Sequence, residues 1–252
     1  MFVSFLVWEK KFASAPIMPV NIFRAPTFTA LIFVVLLTYM GFGISLWYNI
    51  SWQQSLRSTS VLQTGIQFIP FGIGSVASVA IAAWLIPRVA AQYIMAIGIA
   101  TVIIANSLLA VMPIQQDYWP QIFPALVITS FCPDFVYIAA QLIASNSVGR
   151  RHQGVAGSLI GTLNLYGNSL GLGFAGTIES QVAGGHSVKE LALGYRAALY
   201  FGLAVAVAGL ALDFAFVRMP RDVREGWDEA LETEQDVAAQ ASATAVDRPT
   251  AV

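Results

Sequence analysis

Residues 119–147 read WPQIFPALVITSFCPDFVYIAAQLIASNS, an almost continuous apolar segment with one carboxylate, Asp134, near its middle. About 20 apolar residues at a helical rise of ~1.5 Å each match the hydrocarbon thickness of a bilayer. The segment therefore predicts a membrane-spanning helix. An ionisable side chain near the middle of a span is costly unless it faces the interior of a bundle, so Asp134 indicates a polar path.

The polar side chains of this segment recur at intervals of four, three, four and four residues: Ser130, Asp134, Tyr137, Gln141 and Ser145. This spacing places them on one face of a helix, while the other faces are apolar. The sequence therefore predicts a membrane bundle with a polar stripe along at least one helix.

The composition supports an integral membrane protein, since 57% of the 252 residues are hydrophobic and only 11% are charged. Soluble domains carry about 25% charged residues. Lys and Arg do not cluster on a helix face, so no nucleic-acid partner is predicted. The two histidines, His152 and His186, lie in different predicted loops, and neither a metal site nor a cofactor is expected.

The predicted fold is an all-α membrane protein, a bundle of six transmembrane helices occupying residues 27–218. Six apolar segments have spanning length, and we place them at residues 27–50, 61–86, 91–112, 119–145, 155–178 and 194–217. The connections alternate in basic content, with nine Lys and Arg residues on one side and three on the other. Because basic residues concentrate on the cytoplasmic side, both ends of the chain are predicted to be cytoplasmic.

The flanking segments are predicted to lie outside the bundle. Residues 1–26 combine a short apolar stretch, interpreted as the remnant of a preceding span, with a cytoplasmic linker punctuated by prolines. Residues 219–252 contain no run of membrane length and predict a cytoplasmic, largely disordered tail. The chain is therefore expected to be a fragment of a longer protein.

Small and polar residues within the spans mark further candidates. Gln63 and Gln67 open the second span four residues apart, and Asn164 and Asn168 lie one turn apart in the fifth, so all four are candidates for a substrate path. The fifth span also holds two pairs of glycines at an interval of four, which predict close helix packing: Gly157, Gly161, Gly167 and Gly171. Two other carboxylates, Glu179 and Asp213, lie near span ends, where interfacial water is expected to reach them.

Two enzyme motifs occur in the fifth span. Gly171, Gly173 and Gly176 form GxGxxG, but no strand precedes them, which disfavours a dinucleotide site. Ser169 lies in a GxSxG pattern, which leaves an intramembrane serine protease as an alternative. A nucleophilic serine needs a base within hydrogen-bond reach, and neither histidine lies in a predicted span. No catalytic residue is therefore predicted.

The order of features resembles the C-terminal half of a major facilitator superfamily transporter, in particular the fungal fourteen-span drug:proton antiporters. The resemblance is carried by IFRAP before the first span, VLQTGIQFIPFGIG in the second, the turn IPRV, and RRHQGVAGSLIGTLNLYGNSLGLGFAGTIE from the fourth span into the fifth. It covers about residues 9–219.

The resemblance implies proton-driven efflux of small organic compounds or drugs. Asp134 would then exchange the proton while Tyr137 and Gln141 line the path, or Asp134 would only hydrogen-bond a neighbouring helix. Besides lipid, substrate and protons, the expected partner is an N-terminal half or a second copy, because one half cannot enclose a central cavity. A truncated half without transport activity is the alternative. The expected location is the plasma membrane, with the vacuolar membrane as the other candidate.

Overall fold

The computed structural model describes residues 26–115, 117–148, 153–185 and 187–217, and this part of the chain is helical without strands. The first helix, α1 (Pro26–Ser51), continues into a π-helical turn, Trp52–Leu56. The other helices are α2 (Val61–Gln67), α3 (Ile69–Leu85), α4 (Ala91–Ala110), α5 (Ile122–Thr129), α6 (Phe131–Asn146), α7 (Gln153–Ala183) and α8 (Val188–Phe216). The predicted all-α membrane fold is confirmed.

Five stretches of the described chain are long and apolar enough to cross a membrane: Thr27–Leu56, Val61–Leu85, Ala91–Ala110, Ile122–Asn146 and Val188–Phe216. They correspond to five of the six predicted spans. The predicted fifth span is α7, which has 31 residues but is more polar than the others. A helix of this length is sufficient to cross a bilayer.

Two of the predicted spans are interrupted. The expected single helix around Asp134 is divided into α5 and α6 at Ser130. Pro133 lacks an N–H group and cannot bond to the carbonyl of Thr129 one turn earlier, which explains an interruption at this point. The second span is divided at Phe68, two residues before Pro70.

The last helix begins earlier than the predicted residue 194. Ser187 and Glu190 form a capping box: the Ser187 hydroxyl accepts from the Glu190 amide, and the Glu190 carboxylate accepts from the Ser187 amide. This reciprocal pairing satisfies two amides that a helix start leaves unbonded, and α8 therefore begins at Val188.

The centre of the bundle is formed by α1, which packs most extensively against α7 and α8, while α4 packs against α6 and α8. Asn106 on α4 donates to the carbonyl of Gly41 on α1 at 3.1 Å. A Cβ atom on Gly41 would lie 2.9 Å from the carbonyl of Gly202 on α8, so these helices approach at backbone distance. By contrast, α2 and α3 lie at the periphery and expose most of their surface.

Several sequence predictions concern residues outside the described ranges. They are the span remnant and linker up to residue 25, the basic turn at residues 149–152, and the tail from residue 218.

Candidate functional site

Asp134 lies in the first turn of α6, where three helices meet. The hydroxyl of Ser78 on α3 is fully buried and donates a hydrogen bond to Oδ2 of Asp134. The preceding residue, Pro133, accepts a hydrogen bond at its carbonyl from the Tyr39 hydroxyl on α1, at 3.1 Å. Asp134 itself is half-buried. The carboxyl therefore bonds to α3 on one side and stays partly accessible on the other.

The break at Ser130 is covered by a glycine of α3. A Cβ atom on Gly74 would lie 2.9 Å from the Ser130 Cβ atom, closer than real side chains approach. Since α3 therefore comes directly against the junction of α5 and α6, Ser78, one turn further along α3, reaches Asp134.

The polar face of α6 continues toward its C-terminal end through Tyr137, which is 37% exposed, and the half-buried Gln141. Gln141 donates from Nε2 to the carbonyl of Gly157 on α7 at 3.0 Å. A Cβ atom at Gly161 would lie 3.6 Å from the Tyr137 hydroxyl. The glycines of the first predicted packing pair thus border the two polar side chains of α6.

The second glycine pair, Gly167 and Gly171, lies against α1. Added Cβ atoms would lie 2.8 Å from the carbonyl oxygen of Leu36 and 2.6 Å from that of Met40. Only glycine allows this approach of the two backbones without a shift. The structure thus places the two pairs against different helices, α6 and α1.

The two asparagines of α7 are bonded to each other. Asn168 donates from Nδ2 to Oδ1 of Asn164 at 3.0 Å and to its backbone carbonyl at 2.9 Å. Asn168 also lies against Gly43 of α1, where a Cβ atom would be 2.5 Å from its Oδ1 atom. Their role in a substrate path stays a prediction.

Gln63 and Gln67 line a separate cavity of about 860 Å³ at the end of the bundle that holds Arg57. Its other described lining residues come from the π-helical turn, α2, α3 and the segment before α5: Gln53, Arg57, Thr59, Ile66, Ile69, Pro70, Asp117, Tyr118 and Trp119. None of them belongs to the polar face of α6. The structure therefore does not bring Gln63 and Gln67 together with Asp134, Tyr137 and Gln141.

Arg57 contributes a cation to this cavity. It donates from Nε to the carbonyl of Ile114 and from Nη2 to that of Pro113, both at 3.2 Å. Burial lowers the pKa of the Arg57 guanidinium, and the nearby Asp117 carboxylate acts in the opposite direction. Burial also raises the pKa of Tyr118, whose hydroxyl donates to the Gln67 carbonyl at 2.7 Å. The cavity thus combines a cation, amides and aromatic surface, a lining suited to amphipathic compounds.

Sequence reasoning did not assign Ser78 or Tyr39 to the Asp134 group. The only sequence feature that relates to Ser78 is its four-residue spacing from Ala82. In the structure these two residues form the buried face of α3. Tyr39 belongs to a different span, and only the packed structure shows its contact.

The carboxylates near the span ends differ from each other. Glu179 accepts a hydrogen bond at Oε2 from the Tyr48 hydroxyl at 2.7 Å and is half-buried. The expectation that interfacial water reaches Asp213 is wrong, because that residue is fully buried. Asp213 is buried although it lies in the last turn of α8, so the distance from a helix end does not predict exposure.

The GxSxG serine forms an ordinary helix contact. Its hydroxyl, on Ser169, donates to the carbonyl of Leu165 at 3.1 Å within the same helix.

Comparison with known proteins finds relatives among fungal transporters. The chain is 32% identical over 216 residues to an uncharacterized transporter of Saccharomyces cerevisiae, an alignment that covers 85% of this chain and 39% of the relative. It is 33% identical over 218 residues to the efflux pump terG of Aspergillus terreus, covering 85% and 40%. This chain is homologous to part of the fungal major facilitator superfamily transporters.

A further relative is named a major facilitator superfamily multidrug transporter, mdr3, of Aspergillus fumigatus. It is 36% identical over 134 residues, which are 52% of this chain and 25% of the relative. No family model matches the sequence. Together with the apolar helices, these relatives show an integral membrane protein. The chain spans about two fifths of the length of the Saccharomyces cerevisiae transporter and of terG.

Proposed function

We propose that this chain is the C-terminal half of a fourteen-span efflux transporter that exports small organic compounds in exchange for protons. The observation that carries the proposal is the half-buried Asp134 carboxylate, which Ser78 holds at the head of a polar helix face. Tyr137 and Gln141 extend this face. A carboxyl within a span that is partly exposed and accepts a hydrogen bond from a hydroxyl suits reversible protonation.

The exposed side of α7 supports the need for a second wall. A row of exposed hydroxyl residues follows one face of this helix: Ser158, Thr162, Ser169, Thr177 and Ser180. Each donates to a carbonyl of its own helix. A row of hydroxyl side chains is less stable against hydrocarbon than against protein or water, and small hydroxyl residues are common where membrane helices pack together. The proposed cover is the N-terminal half of the transporter or a second copy of this chain.

The cavity with Gln63, Gln67 and Arg57 is proposed as one mouth of the substrate path. Its volume of about 860 Å³ falls in the range of small-molecule sites. Because basic residues mark the other end of the bundle in the sequence, this mouth would open away from the cytoplasm. Both termini would then be cytoplasmic, and the plasma membrane is the proposed location.

The test is proton-gradient-driven efflux of a fluorescent amphipathic cation from membrane vesicles that carry the full-length parent transporter. Asp134→Asn keeps an oxygen acceptor for Ser78 and removes the exchangeable proton. We expect loss of proton-coupled efflux in this variant and retained efflux in Glu179→Gln, the matched control. Unchanged coupling in Asp134→Asn would reject the role of Asp134 in proton exchange.

The chain alone provides a second arm of the experiment. Efflux by the chain without an N-terminal half would support a path between two copies. Absence of efflux in this arm, together with efflux by the parent, would support the half-transporter. Absence in both arms would reject the transport proposal and favour a half without activity.

A further inference from the structure

The described structure buries a second carboxyl, Asp213, in the last turn of α8. The side chain is fully buried, and neither Oδ1 nor Oδ2 has a hydrogen-bond partner. Gln92 on α4 donates to the backbone carbonyl of Asp213 at 3.3 Å, but its amide does not bond to the carboxyl. Among the carboxylates of the described chain, Asp213 therefore differs from Asp134 and Glu179, which both accept a hydroxyl.

The buried hydrophobic residues near Asp213 in the chain belong to the apolar core of the bundle. One turn earlier on α8, Gly209 lies against Leu37, Thr38 and the carbonyl of Val34 on α1. The nearest buried hydrophobic residues in the chain are Ala206 and Val217, which belong to the same core cluster as Ile94 and Met95 of α4. The Thr38 hydroxyl donates its hydrogen bond to the Val34 carbonyl at 2.7 Å, so it does not donate to the Asp213 carboxyl.

The titratable groups of the elements packed against α8 have other positions or partners. On α1, Tyr39 bonds to Pro133 and Tyr48 bonds to Glu179 of α7. Tyr93 of α4 and Tyr166 of α7 are exposed. On α8 itself, the titratable groups lie in its first half: Lys189, Glu190, Tyr195, Arg196 and Tyr200. Arg88, in the turn before α4, lies over the Trp84 ring at 4.2 Å. In the described ranges no cation compensates a charge on Asp213.

We propose that Asp213 is a proton-binding site, separate from Asp134, whose carboxyl is a neutral acid in the packed state of the bundle. An ionised carboxylate without partners in apolar packing is far more costly than the neutral acid, so the site binds a proton when it is closed. Its proton would pass to water only when α8 separates from α1 and α4 at this end. The inference does not depend on the transport proposal.

Infrared spectroscopy of the full chain in detergent micelles at neutral pH tests the protonation state. The carbonyl stretch of a protonated carboxylic acid is resolved from the bands of carboxylates and amides. We expect this band in the unmodified chain and in Asp134→Asn, and its loss in Asp213→Asn, which has a similar shape but no exchangeable proton. Identical spectra for the unmodified chain and Asp213→Asn would overturn the proposal.

A second measurement on the unmodified chain covers the case that Asp213→Asn does not fold. Dicyclohexylcarbodiimide is apolar and reacts with protonated carboxyls, and mass spectrometry locates the adduct. We expect an adduct at Asp213 in the folded chain at neutral pH, with labelling decreasing when the pH is raised in a denaturant. Absence of the protonated-carboxyl band from the infrared spectrum of the folded, unmodified chain would contradict a neutral acid at this position, whether or not the adduct forms. Neither readout involves transport, so failure here is distinguishable from failure of the efflux test.

Discussion

The hydroxyl of Ser78 on α3 donates a hydrogen bond to Oδ2 of Asp134 on α6. Ser78 is fully buried, whereas the carboxyl that it contacts is half-buried. This single bond ties the peripheral helix α3 to the polar face of α6.

Ser78→Ala is predicted to destabilise the bundle by about 1–2 kcal/mol, the usual cost of removing a buried hydrogen-bond partner. Proton-driven efflux by the parent transporter should fall in the same variant, since Asp134 loses its orienting donor. Thermal unfolding in detergent and vesicle efflux measure the two effects. Ser75→Ala is the matched control on the same helix. Equal stability and efflux in both variants would show that the bond contributes little.

Gly171→Ala is predicted to destabilise the packing of α1 on α7 by about 1–3 kcal/mol, the typical cost of overpacking. Its Cβ atom would lie 2.6 Å from the Met40 carbonyl oxygen and 2.7 Å from the Met40 Cα atom, and backbone cannot rotate away. Gly173→Ala lies two residues further on the same helix with open space around it. This control should gain stability by about 0.5–1 kcal/mol because alanine favours a helix. Thermal unfolding of both variants should therefore move in opposite directions.

The Tyr48 and Glu179 pair joins α1 to α7 through one hydrogen bond of 2.7 Å. Tyr48→Phe is predicted to cost about 1.5–3 kcal/mol, the range for a bond to a charged group. Glu179→Gln keeps an acceptor oxygen and should cost less. A double-mutant cycle of Tyr48→Phe with Glu179→Ala measures the coupling. A coupling energy near zero would mean that solvent replaces the bond without loss.

Thiol labelling can establish whether the polar face of α6 is wet. The natural Cys132 is fully buried and is first replaced by alanine. In this background Tyr137→Cys, at a position 37% exposed, should react with a membrane-impermeant maleimide, whereas Val136→Cys, at a fully buried position, should not. Reaction at neither position would indicate that lipid or protein covers the face, and the water-lined path would be ruled out for the chain alone.

Much of the helical framework follows from local sequence. Apolar runs of membrane length predicted the second, third and fourth spans close to their observed limits, because length and apolar content do not depend on the neighbours of a helix. The start of α8 was placed too late. Its first turn carries Lys189 and Glu190, and the capping box that initiates it depends on polar residues that an apolar run excludes.

The side-chain pairs were not predictable in the same way. The four-residue spacing put Asp134, Tyr137 and Gln141 on one face, but their contacts with Ser78 and with Gly157 and Gly161 depend on how α3 and α7 are rotated and displaced against α6. The location of Gln63 and Gln67 was not predictable from spacing either, since the structure places them in a cavity away from that face. Helix rotation is set by non-local packing, to which the spacing within one helix contributes nothing.

The sequence alone determined that this protein is a helical membrane bundle with a carboxylate inside a span, because the hydrophobic length and polar period of a helix are properties of the segment itself. Tertiary structure decided which carboxyl is open and which is closed. Asp134 lies in the middle of its span yet is half-buried and hydrogen-bonded, whereas Asp213 lies near a helix end yet is fully buried without a hydrogen-bond partner. The reason is that the burial of a side chain depends on the helices that pack against it, and the position of the residue along its own helix does not determine that packing.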